Sequence, residues 1–172
     1  GGDDLYEFVE MFTAYKYFLQ PLNADSASEL AAEVFSQAGD SLDEHERRYI
    51  LDQAGGHPGL IQAVAHVVLE VESGAPANFT EQALSMVDDV LQNHRLVRGE
   101  LGKLWHQLQQ PERESCTLVA ARGFKALSRA QREELIARGL LIPDGTGGQR
   151  LFARLFEGYA RRQGYVNQAV PS

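Results

Sequence analysis

Apolar and polar positions follow a helical period along most of the chain, and the densest apolar run marks its centre. Leu60-Ile61-Gln62-Ala63-Val64-Ala65-His66-Val67-Val68-Leu69 is apolar on nearly every face, the pattern of a buried helix. Before it, residues 43–54 form a charged segment with a thin apolar stripe, which reads as a surface helix. Between the two lies Gly55-Gly56-His57-Pro58-Gly59. The glycines supply a left-handed residue that ends one helix, and Pro58 at the first position of the next has no amide hydrogen to leave unpaired. This helix–corner–helix leaves the amides and positive dipole end of a buried helix where an anionic or flat group could dock, although a plain cap with His57 as an N-terminal polar residue explains the same residues.

The remaining periodic segments extend this pattern in both directions. Residues 1–17 are rich in aromatics, with Leu5, Phe8, Val9 and Phe12 on one helical face and Tyr15 to Leu19 reading as extended. Ser26 and Glu29 have capping-box spacing at the start of a helix whose inward stripe is Leu30, Val34 and Phe35, ended by Gly39. A loop is expected over 72–78, and Thr80 then caps a long run in which Leu84, Val87, Leu91, Leu101, Trp105 and Leu108 recur at three- and four-residue steps, with the polar His94 and Arg98 at the intervening positions. A coiled coil fits that recurrence, but Gly99 and Gly102 favour two helices with a hinge, and a domain boundary falls near Arg95–Gly102. Helices are then expected over 101–110, 111–121 and 129–138, the last capped by Ser128 and ended by Gly139. Leu140 to Pro143 and Gln149 to Phe152 flank Asp144-Gly145-Thr146-Gly147-Gly148 as a β-hairpin. The expected fold is mainly α: an aromatic segment (1–17), a helical bundle (18–95), a winged-helix domain with a small hairpin (96–164) and a tail (165–172).

Composition narrows the function classes. With 172 residues, 44% of them hydrophobic, the chain can bury a core, and no stretch has the length of a membrane span or the pattern of a signal peptide. The single cysteine, Cys116, lies in an apolar run and reads as a buried residue of a reducing compartment, so a cytoplasmic protein is expected. Net charge is −8 but uneven: residues 1–121 carry 7 basic against 20 acidic side chains, residues 122–172 carry 9 against 4. A basic end on an acidic body favours an anionic partner, or contact between the two halves within one molecule or between copies.

Motifs of catalysis are missing. The five histidines have no zinc spacing among themselves or with Cys116, and His66, on the apolar helix, reads as a core or boundary residue. There is no nucleophile elbow and no Walker A pattern, so neither a metal site, a catalytic residue nor triphosphate hydrolysis is expected of this chain. The helix 129–138 would present Arg129, Gln131 and Arg132, with Lys125 nearby and Arg150 on the wing, to a nucleic acid or a protein partner. Glu133, Glu134 and the acidic front half oppose a duplex, which favours the protein partner.

Phe18-Leu19-Gln20-Pro21-Leu22 followed by a helix and then Gly55-Gly56-His57-Pro58-Gly59-Leu60-Ile61-Gln62 resembles the lid region of AAA-like STAND ATPases, the signal-transducing P-loop NTPases. The helices, wing and closing run Leu151 to Tyr159 are similar to the winged helix that follows the lid there. The resemblance spans residues 18 to 164 and implies a lid and winged helix lacking the Walker A core. It implies that Gly56, His57 and Pro58 face the adenine of ATP or ADP, held with Mg by the core of a complete protein; this chain itself needs no cofactor. It further implies a regulatory module that couples nucleotide state to protein–protein assembly, with the ATPase core, another protein or a second copy as partner and no membrane. A winged-helix DNA-binding regulator is the alternative.

Overall fold

The computed structural model describes residues 21–74 and 81–169, with side chains for 21–74 and 84–164. The aromatic segment 1–17, the position of Thr80 and most of the 72–78 loop therefore lie outside the described residues. Eight α-helices and one two-stranded antiparallel sheet make up the described chain, a mainly helical fold with a small hairpin near its C-terminal end.

Helix α1 runs Ala24–Gln37 and α2 Glu44–Ala54. Asn23, not Ser26, caps α1: its Oδ1 accepts the Ser26 N–H at 2.8 Å. The earlier of two good capping side chains takes the extended position just after Pro21-Leu22, and Ser26 falls inside the first turn. For α2 the cap is reciprocal, Asp43 Oδ1 accepting from Glu46 N–H at 2.8 Å and Glu46 Oε1 from Asp43 N–H at 3.0 Å. Helix α3, Pro58–Ser73, is the centre of the bundle, with Leu60, Ile61, Ala63, Val64, Ala65, Val67 and Val68 buried and His66 exposed. His66 is thus a surface residue, because the two polar positions Gln62 and His66 are one turn apart and share the outward strip of the helix.

Helices α4 (Glu81–Leu91) and α5 (Arg95–Gln107) divide the long periodic run. The break lies at 92–94, not at Gly99 or Gly102, which sit inside an unbroken α5. His94 makes the difference: its Nδ1 accepts the Leu96 N–H and so starts a new helix there. Helix α6 is Gln110–Arg122 and α7 Arg129–Ala137, joined by a 3₁₀ turn at Phe124–Ala126. Strands β1 (Leu141–Pro143) and β2 (Gln149–Leu151) pair antiparallel, Ile142 opposite Arg150. Helix α8, Arg154–Ala169, then returns along α6. It continues through Gly164, past the point where the sequence reads as a tail: that glycine packs beside Thr117 of α6, so tertiary contact carries the helix past a weak former.

One apolar core runs through the whole described chain. Helix α5 packs on α3 of the bundle, and its Trp105 packs against Phe156 and Tyr159 of α8 at ring-centroid distances of 6.1 and 5.7 Å, so α5 connects the bundle with the hairpin-bearing end. Arg138 clamps α7 to α6 through both oxygens of the buried Glu112 carboxylate, at 2.7 and 3.0 Å.

Candidate functional site

The glycine corner is where three parts of the chain converge. Gly55 ends α2 with φ +59°, and its N–H bonds to Leu51 O at 2.8 Å. A Cβ on Gly55 would collide with the carbonyl oxygen of Phe152, beyond the wing; one on Gly56 would collide with the Leu22 carbonyl and Pro21. The incoming chain is fastened there as well, Leu22 N–H donating to Gly56 O at 2.8 Å. Backbone from the incoming segment, the bundle and the wing therefore meets at van der Waals range, a spacing only glycine permits.

His57 and Pro58 serve the helix that leaves the corner. Pro58 occupies its first turn, and His57 Nδ1 accepts the Leu60 N–H at 3.2 Å, so the ring is the N-cap of α3. Burial lowers the His57 pKa to about 4, keeping the ring neutral and able to accept. The ring also lies 6.5 Å from that of Phe152. Glu100 of α5 fills the space at Gly59: its Oε1 takes a bond from Lys103 at 3.1 Å, while Oε2 is buried without a hydrogen-bond partner. The positive end of α3 thus has a carboxylate of the protein's own beside it, which opposes a second anion.

Beside the corner opens a groove of about 450 Å³ between the two parts of the molecule. Pro21, Leu22, Leu51, Gly55 and Gly56 line its bundle side; Ile136, Leu141, Ile142, Arg150 and Phe152 line the other. The lining is apolar except for Arg150, whose Nη1 donates to Leu151 O at 3.3 Å and which takes part in none of the ion pairs among the described residues.

Of the residues singled out in the sequence, the groove brings Gly56 and Arg150 together; His57 and Pro58 do not line it. Lys125, Arg129, Gln131 and Arg132 are placed elsewhere. Lys125 is exposed on the 3₁₀ turn, Arg129 is paired with Glu133 at 2.9 Å, and Arg132 is half-buried. The Gln131 side chain is committed to the α7 capping box, accepting the Ser128 N–H at 2.9 Å. These four residues do not form a continuous cationic face on α7, because Glu133 and Glu134 share its exposed side. Leu51, Ile136, Ile142 and Phe152 do not stand out as site residues in the sequence. The apolar residues just past Gly139 give the one available signal, a hairpin strand whose second residue, Ile142, is only half-buried.

Among the described residues no cluster of three histidine, cysteine or acidic side chains could hold a metal ion, and no helix is long and apolar enough to cross a membrane. Burial pushes the Cys116 thiol up to about 12, which leaves it protonated and inert. No family model, curated protein or solved structure matches the chain.

Proposed function

We propose that the chain is a non-catalytic regulatory and interaction module of the STAND type, in which a lid-like bundle and a winged helix are coupled through the glycine corner and present the groove between them to a protein partner. The observation that carries this reading is the convergence at Gly55-Gly56 of the incoming chain, α2 and the wing: Leu22 N–H is bonded to the Gly56 carbonyl and Gly55 abuts Phe152, so a displacement of Pro21-Leu22 would be passed through the corner toward Phe152. In a longer ATPase, ADP or ATP with Mg on the core would act on that incoming segment and on Gly56, His57 and Pro58, and the basic wing would follow.

Substituting Pro58 tests the coupling in such an ATPase. Pro58→Ala removes the fixed φ at the first turn of α3 but leaves the His57 cap and the core in place, so the module's stability should change by no more than about 1 kcal/mol. Nucleotide-dependent assembly and ADP retention should shift; if both stay as in the parent, the corner has no sensing role. Titration of a labelled random-sequence duplex with this chain separates the DNA-binding alternative. Anisotropy should stay flat at low salt, whereas binding that weakens steeply with salt and vanishes in Arg129→Glu/Arg132→Glu would replace the protein partner with DNA.

A further inference from the structure

The groove needs an apolar occupant with an acid to meet Arg150, and the other side of the same molecule carries one. Met86 and Val90 of α4 are 58% and 43% exposed, unusual for large apolar side chains, and lie one turn apart on one face. Asp89, exposed, is three residues from Met86 and borders that stripe. Asp88 is turned the other way, accepting from Tyr49 and from Gln53 of α2, and this fixes α4 against the Tyr49–Gln53 face of α2. Leu51, which lines the groove, is on the opposite face of α2, since at ~100° per residue it stands about 180° from the midpoint of 49 and 53. The acidic apolar stripe and the groove are therefore held apart by the thickness of the bundle and cannot meet within one chain.

We infer that the groove receives α4 of a second copy, with Met86 and Val90 seated between Leu51, Ile136 and Ile142 and Asp89 beside Arg150. This deepens the reading of the groove as an interaction site and rests on it. Because donor face and groove are different surfaces, the contact is head-to-tail: each copy in an assembly uses both, and the array either closes into a ring or extends as a filament. The charge asymmetry acts in the same direction, setting the acidic front half of one copy, −13 over residues 1–121, on the basic end of the next, +5 over residues 122–172. Two protruding side chains make a small interface, so association is weak and concentration-dependent.

Sedimentation velocity of the full chain, up to about 1 mM, with two variants that each disable one surface, is the test. The wild type should form species larger than dimers as concentration rises. Met86→Lys/Val90→Lys loses the donor face and Arg150→Glu the acceptor groove; each alone should stay monomeric, with far-UV circular dichroism showing both folded. An equal mixture should give a dimer and nothing larger, because one intact face meets one intact groove. Asp89→Lys combined with Arg150→Glu should restore assembly by charge exchange. A monomeric wild type, association that survives either variant, or a mixture that stays monomeric would each overturn the head-to-tail contact. None of those results bears on the Pro58 test, which reads nucleotide dependence.

Discussion

Glu46, buried, and His57, half-buried, make this small bundle respond to pH in opposite directions. Burial, then the hydrogen bond to Glu72, raises the Glu46 pKa to about 8, and burial raises that of Glu72 as well. Asp43 and Asp40 stand nearby, so no cation relieves the pair and the proton stays on Glu46 at neutral pH. A carboxyl whose folded pKa exceeds its unfolded one stabilises the fold fully below the unfolded value, near 4.5, and that contribution is lost as pH rises through about 8. Urea midpoints should therefore fall between pH 6 and pH 9, and Glu46→Gln, uncharged throughout, should flatten the slope. His57 has the reverse sign: with its pKa depressed to about 4, its contribution is complete above pH 6.5 and fades as pH falls toward 4. His57→Asn keeps an N-cap acceptor without the titration, so it should match the wild type at pH 7 and lose less on acidification. His57→Ala should cost about 1 kcal/mol at pH 7 through the lost cap.

At the scale of helices and turns, glycines with the same sequence appearance have opposite roles. Gly55 and Gly56 face backbone oxygens with no room for a methyl group, and Gly55 also has a positive φ. Alanine at either should cost about 3 kcal/mol or more, because a carbonyl cannot swing aside as a side chain can. Gly99 and Gly102 in α5 have nothing within 4 Å of the place a methyl carbon would take, so Gly99→Ala and Gly102→Ala should each stabilise the chain by about 0.5–1 kcal/mol. Thermal unfolding of the four single variants reads both signs. The contrast also marks where sequence reading works. The buried α3, the Ser128 cap, the Pro58 start and the hairpin are legible because each depends on residues close together in sequence. The α5 glycines read as a hinge and are none, since only tertiary packing shows whether a glycine is exploited or tolerated. The groove is half legible for the same reason: Gly56 and Arg150 can be singled out, but they are 94 positions apart and meet through the packing of α2 against α8 and the wing.

Whether the bundle and the winged part behave as two domains or one depends on what crosses between them. The Arg154–Asp52 link is weak: the two meet at 2.7 Å, yet the Arg154 side chain is 67% and that of Asp52 42% exposed, so Asp52→Asn should change stability by less than about 1 kcal/mol. The apolar link is stronger. Phe152 lies 5.0 Å from Phe156, Phe156 packs on Trp105, and Trp105 on Tyr159, a continuous aromatic chain from the groove wall to α5. Trp105 is the single tryptophan and is buried where α5 meets α8, so its fluorescence reports separation of those two helices while far-UV circular dichroism reports loss of helix. If the core is one cooperative unit, the two urea transitions coincide; an earlier fluorescence transition would mean that α8 leaves α5 before the helices unfold. Coincident curves are expected, because one apolar core runs through the described chain and parting α8 from α5 exposes Trp105 and Phe156 together. Phe156→Ala should then lower both midpoints equally, by the equivalent of about 3–5 kcal/mol. The coupling proposed at the glycine corner needs that outcome, for a displacement of Pro21-Leu22 reaches the wing only if the parts it connects move as one body.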